Sequence, residues 1–228
     1  MQRHGSYRYA KGSTLLAVTE RFSLTHREND WLITTERITG TGASLTIEAT
    51  ADGPPALNMS APLRVKRVSL RWSTDGGESS MSARFTLSAS DRQGTIVEVV
   101  RTVSDGSETV ATLPFSQKPV LSPLARITMG PTLLCLANSV GAQTVVPWFH
   151  DPSNHDLLFT AQVEDRVVEK KDKGSLHTPD GYLSGNTYQY VGGNYTAGDE
   201  FLVSDDGLLL AYYFGDLTIW RVDGGASD

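Results

Sequence analysis

A single cysteine, Cys135, stands in 228 residues, so no internal disulfide exists. It lies in an apolar stretch where a buried, inert thiol is the ordinary state, and this usage fits a reducing compartment. No apolar run approaches the roughly twenty residues of a membrane-spanning helix. The opening MQRHGSYRYAKGSTLLAV carries basic residues without the apolar run of a secretory signal. The expectation is a cytoplasmic protein, or a periplasmic one if a leader has been removed. Basic residues are also scarce: 20 Lys and Arg face 26 Asp and Glu, for a formal charge of −6. That balance argues against a nucleic-acid partner, which needs cations to neutralise phosphates. The densest basic cluster, Arg64, Lys66, Arg67 and Arg71, splits between the two faces of a strand.

Chemical signatures are missing as well. Ser13, Ser79, Ser80 and Ser139 do not sit in Gly-x-Ser-x-Gly, and Cys135 has no paired motif and falls within an expected helix, away from its N-terminus. No strand-to-helix transition that would cradle phosphate follows Gly192-Gly193. No cofactor and no metal are expected.

Turn dipeptides are abundant: Asp52-Gly53, Asp75-Gly76, Asp105-Gly106, Asp180-Gly181 and Asp206-Gly207, with Asn29-Asp30 and Gln93-Gly94 between them. Most are flanked by short alternating runs, the pattern of hairpins. Leu16, Val18, Phe22 and Leu24 share one face, as do Val68, Leu70 and Trp72, then Phe85 and Leu87, then Val97, Val99 and Val103. The spacing predicts strands over 13–25, 30–39, 43–51, 64–73, 79–90, 95–104 and 107–113. Residues 119–141 break the rhythm, and Ser122-Pro123 and Gly130-Pro131 each read as a helix start. One or two short, mostly apolar helices there must plug the concave face or an end of the sheet. Strands resume at about 143–149, 157–171, 186–192, 199–204, 207–214 and 216–223, and the polar stretch 172–186 reads as a mobile loop. The fold class expected is mainly β: one domain over 1–228, a highly curved antiparallel sheet, as a β-roll or open barrel, wrapped around a helical insertion.

Three groups of residues are candidates for function. His150, Asp151 and His155 crowd one loop, PWFHDPSNHD, where imidazole and carboxylate suit a divalent metal or proton transfer. Pro152 opposes a helix, and the same residues also read as a surface turn. Aromatic residues gather in the final third. Trp148, Tyr182, Tyr188, Tyr190, Tyr212 and Trp220 are ligand-binding candidates, whereas Phe201 and Phe214 are assigned to the core. Glu20 interrupts the apolar face of its strand, which is costly unless it meets an arginine or a water-filled cavity. The plainer alternatives are an edge strand, or a core on the other face.

YRYAKGSTLLAVTERFSLTHRENDWLITTERI at 7–38 resembles the first hairpin of bacterial spiral β-roll and half-barrel proteins, and FLVSDDGLLLAYYFGDLTIWRV at 201–222 is similar to their ending. The relatives in question are uncharacterised envelope β-rolls, a glycolipid-binding family and, more distantly, the lipoprotein carriers. The resemblance implies a curved sheet around a helix with apolar or amphiphilic ligands. The functional expectation is therefore binding of a hydrophobic or amphiphilic small molecule in the concavity. The alternative is an isomerase, cyclase or hydrolase acting there by acid/base chemistry. A monomer and a homodimer are both compatible with the sequence.

Overall fold

Short turns between alternating runs leave each strand its sequence neighbour as partner, and the chain follows that rule nearly throughout. The computed structural model describes residues 2–75, 80–90, 94–103, 105–139, 141–191 and 199–223. Gly76, Ser79, Gln93, Val140, Gly192, Gly193 and Tyr195 lie outside the described residues. The first half is a meander of β1 (Gln2–Lys11), β2 (Thr14–Arg27), β3 (Asp30–Thr39), β4 (Ser44–Asp52), β5 (Arg64–Ser73), β6 (Ser80–Ser90), β7 (Gly94–Thr102) and β8 (Glu108–Phe115). Then come β9 (Val120–Leu121), a 3-10 turn at Arg126–Thr128, the helix α1 (Met129–Ala137), β10 (Gln143–Pro147) and β11 (Ala161–Asp165). The chain closes with β12 (Val167–Thr178), β13 (Gly181–Val191), β14 (Glu200–Val203), β15 (Leu209–Phe214) and β16 (Leu217–Asp223).

Thirteen strands form one antiparallel sheet in the order β12-β13-β14-β15-β16-β1-β2-β3-β4-β5-β6-β7-β8. The two ends of the chain meet in its middle, where β1 pairs with β16 and Arg8 faces Trp220. β12 and β8 are its edges, so the sheet is open and curved, the mainly β class expected. A small second sheet, β11-β10-β9, includes one parallel pair, β9 with β10.

The helix fills the concavity. Every residue of α1 from Gly130 to Leu136 is buried, as a helix apolar on all sides must be. It packs against β5 from one half of the sheet and against β12, β14 and β15 from the other. Gly130 permits a close approach to the β14–β15 turn: a Cβ there would lie 2.5 Å from the Gly207 carbonyl oxygen and 2.7 Å from the Leu209 nitrogen. The resulting hydrophobic cluster runs from Tyr7 through Trp31, Phe85 and Leu133 to Ile219.

Four sequence expectations differ from the structure. The expected strand 157–171 is instead a turn followed by two strands, β11 and β12, that part at Arg166. The opening residues form β1, an added strand before the expected start at 13. Ser122-Pro123 starts no helix; the Ser122 N–H instead donates to the Val145 carbonyl beside β9. Residues 172–186 are no loop but the body of the β12–β13 hairpin. Its far end lies on the outer face of the sheet, where Asp180 accepts from Arg8 and from Trp220 Nε1. Leu176 and Leu183 of the hairpin cover a second small core of Leu202, Leu210, Ala211 and Trp220. Burying that apolar set supplies the order that the polar composition of 172–186 conceals.

Candidate functional site: an arginine- and aromatic-lined pocket

Glu20 is 0% exposed on an interior strand, so neither plainer alternative for it holds. The β2–β3 register puts Arg37 directly opposite on the same face. Arg37 donates to Glu20 Oε2 from Nε at 2.8 Å and from Nη2 at 2.7 Å, and the Tyr9 hydroxyl donates to the same oxygen at 2.8 Å. Glu20 Oε1 accepts from the Arg126 backbone N–H at 2.6 Å, and Arg37 also donates to the Leu124 carbonyl. The buried charge is thus paired and hydrogen-bonded at both oxygens, which is what burial requires. Loss of hydration burdens the Arg37 cation, but Glu20 beside it more than reverses this and raises its pKa. Burial holds the Tyr9 proton above the usual phenol range.

This network ties the segment 124–126 to the sheet and presents the Arg126 side chain to a pocket of about 330 Å3. The pocket lies between that segment, β10 and β11 on one side and β13 to β15 on the other. Its apolar wall is a run of aromatic rings. Tyr190 meets Phe201 edge-on at 4.9 Å, Phe201 stacks on Tyr212 at 4.7 Å, and Tyr212 stacks on Phe214 at 6.4 Å. Cross-strand register explains the stacking, since Phe201 is the direct partner of Tyr212, and Phe214 is two residues beyond it on the same face. Phe149, stacked on Phe159 at 5.7 Å, faces in from the other side.

Two cations lie over these rings. The Arg126 guanidinium carbon is 5.8 Å from the Tyr212 centroid and 6.0 Å from that of Tyr9, and the Arg166 carbon is 5.0 Å from that of Tyr190. Arg166 is held by Glu164. Arg126 has no carboxylate partner among the described residues: Nη1 reaches the Met129 sulfur, and Nε is buried without a hydrogen-bond partner. Asp199 also borders the pocket, 3% exposed, with Oδ2 buried and unpartnered. Burial raises its pKa against the pull of Arg166. Tyr212 is pushed up to about 12, by burial first and then by the Asp199 charge.

The candidates from the sequence are dispersed. Tyr190 and Tyr212 line this pocket, and His150 stands exposed at its margin with its ring 5.7 Å from Trp148. Asp151 accepts from the Ser153 N–H and hydroxyl, the surface-turn geometry, which lowers its pKa. His155 rests against Trp72, on a different wall. Among the described residues, no three His, Cys, Asp or Glu side chains group as metal ligands. Tyr188 borders a larger, more open hollow of about 780 Å3 with Met59, Arg64 and Lys170. Tyr182, 66% exposed, and Trp220, in the second core, belong to the outer face. Glu20 does not border the pocket and acts on it through Arg126. Phe214, assigned to the core from sequence, is 51% exposed, at the last position of β15.

Sequence reasoning missed Arg126, Arg166 and Asp199. Arg126 falls in the segment read as helical and Arg166 inside one expected strand, and neither has a local motif. The smaller pocket is the better candidate than the larger hollow because it is enclosed by aromatic faces and bordered by buried, unsatisfied polar atoms.

The fold and pocket define an open, curved antiparallel sheet with a helix-filled concavity and a small cationic, aromatic cavity beside the helix. No protein-family model, no curated protein and no solved structure matches the chain. No helix among the described residues is long and apolar enough to cross a membrane.

Proposed function

We propose that the protein binds a small amphiphilic molecule in the pocket between the Arg126 segment and the aromatic wall of β13 to β15. The observation that carries this reading is Arg126: a guanidinium set over two aromatic rings, with Nε buried and unpartnered, in a cavity otherwise walled by Phe149, Phe201, Tyr212 and Phe214. An arginine so placed supports recognition of an acidic group, and the rings offer apolar and π surface to the rest of the ligand. The volume falls at the small end of the roughly 300–1,000 Å3 range of ligand pockets. The resemblance of the chain's two ends to β-roll and half-barrel proteins points the same way and belongs to this proposal.

The test is a fluorescence titration with 8-anilinonaphthalene-1-sulfonate, an anionic aromatic probe. One saturable site is expected, weakened about tenfold or more by Arg126→Ala or Tyr212→Ala, the loss of one charged or stacked anchor. Tyr182→Ala on the outer face should leave it unchanged. Equal binding by all variants would overturn the reading.

Catalysis in the same pocket is the second reading, favoured by the raised pKa of Asp199, which borders the pocket that His150 also lines. Its mark would be a change of mass in a molecule released from the protein by denaturation and then returned to fresh protein.

A further inference from the structure

Charge around the pocket balances in an uneven way. Arg37 is matched by Glu20 and Arg166 by Glu164. Arg126 and Asp199 are left over, one cation and one carboxyl, and no ion pair joins them or engages either elsewhere among the described residues. Each carries a buried polar atom with no hydrogen-bond partner, Nε of Arg126 and Oδ2 of Asp199. Both border the same cavity, and Tyr212 lies between their influences: Asp199 raises its pKa and Arg126 lowers it.

Unsatisfied buried polar atoms are uncommon in folded proteins, and two of opposite character on one cavity point to a common explanation. An acidic ligand alone satisfies Arg126 and leaves Asp199 facing a like charge. A cationic ligand alone has the converse fault. A molecule bearing both groups satisfies the two at once, and the aromatic faces of Phe201 and Tyr212 also suit an ammonium or the apolar body next to it.

Resting on the binding reading above, we infer that the ligand is a small zwitterion of the amino-acid type: its acid accepts from the Arg126 guanidinium, its ammonium donates to the Asp199 carboxylate, and its apolar part lies against Phe149, Phe201 and Phe214. Asp199 holds the ammonium in its ionised form, and the ligand's cation favours that form against the burial that raises the carboxyl's pKa.

Three probes on one skeleton separate the possibilities: phenylalanine, with both groups; 3-phenylpropanoate, with the acid only; and 2-phenylethylamine, with the amine only. Calorimetric titration should show phenylalanine tighter than either other probe by about tenfold or more, one charge-assisted hydrogen bond's worth. Asp199→Asn should bring phenylalanine down to the level of 3-phenylpropanoate, while 3-phenylpropanoate itself holds or tightens as the like charge is removed. Arg126→Gln should do the same relative to 2-phenylethylamine. Melting curves check that both variants are folded. If 3-phenylpropanoate binds as well as phenylalanine, the inference is overturned and the pocket reads acids alone. If none of the three binds, it is also overturned, and the anilinonaphthalene sulfonate titration then tells whether the wider binding reading falls with it.

Discussion

Arg37 places two nitrogens on one carboxylate oxygen of Glu20, at 2.8 and 2.7 Å, in a part of the core where Glu20 has no exposure to solvent. An ion pair in that position is costly to bury and far costlier to break. Glu20→Ala should destabilise the protein by about 3–5 kcal/mol in urea denaturation, because it strands the arginine charge. Replacing both residues with methionine should cost much less, since no charge remains to be compensated. If the double variant were as unstable as the single one, the pair's role would lie in shape and not in charge.

The same pair shows how much the sequence can tell. Glu20 is visible as an intruder on an apolar face, and its need for an arginine follows from physics. The partner is hidden because strand limits of 13–25 and 30–39 leave the register open. Yet β2 and β3 are joined through Glu28 and Asn29 alone, with Glu28 at a φ of 45°, and a loop of that length sets residue 20 opposite residue 37. Hairpins and helix are legible because alternation and turn residues are local. The pocket is not, because Arg126, Arg166 and Asp199 come from three distant segments that only the folded sheet brings together. The β12–β13 hairpin escapes the sequence for a related reason: its polar, turn-rich residues are ordered by a surface they cover, not by a pattern they carry.

Gly130 sets the seat of the helix. A methyl group on its Cα would come within 2.5 Å of the Gly207 carbonyl oxygen, so Gly130→Ala has to push α1 off the β14–β15 turn or distort both. A loss of about 1–3 kcal/mol is expected, the usual cost of overpacking, although alanine is the better helix former. Thermal denaturation measures it, and a gain in stability would mean that helix and turn separate easily.

The buried thiol of Cys135 should be inert. It is 1% exposed, and burial pushes its pKa up to about 11. Since the thiolate is the nucleophile, reaction with dithionitrobenzoate at pH 8 should be slow in the native protein and prompt in urea. Fast native labelling would show that α1 opens readily.

Buried phenols should make the protein sensitive to alkali. Tyr212 and Tyr213 are each pushed up to about 12, chiefly by burial, and Tyr7, Tyr9 and Tyr190 are also raised. An unfolded tyrosine loses its proton near pH ~10. Between that value and the folded pKa the unfolded chain binds fewer protons than the native one, so stability falls as pH rises. The contribution is full below pH ~10 and is lost progressively toward pH ~12. Urea midpoints should therefore hold from pH 8 to about 10 and decline above it, and the phenolate absorbance of these residues should rise with unfolding. Ionisation of these five phenols together near pH ~10 in a protein that stays folded would contradict the burial of their hydroxyls.

Asp180 fastens the β12–β13 hairpin to the outer face of the sheet through Arg8 and the Trp220 indole. The Arg8 contact is partly exposed and contributes little, whereas Trp220 is 2% exposed and its N–H would be left without this partner. Asp180→Ala should therefore cost about 1–3 kcal/mol, the penalty for a buried donor deprived of its acceptor. The loss should be local before it is global. Lys170, Lys171 and Lys173 are exposed on β12, an edge strand paired on one side only, so loosening the hairpin should speed tryptic cleavage there while the pocket still binds its probe. Arg8→Ala, which keeps the indole bond, should leave cleavage near the wild-type rate. If both substitutions open the hairpin equally, the surface ion pair and not the buried indole is what holds it down.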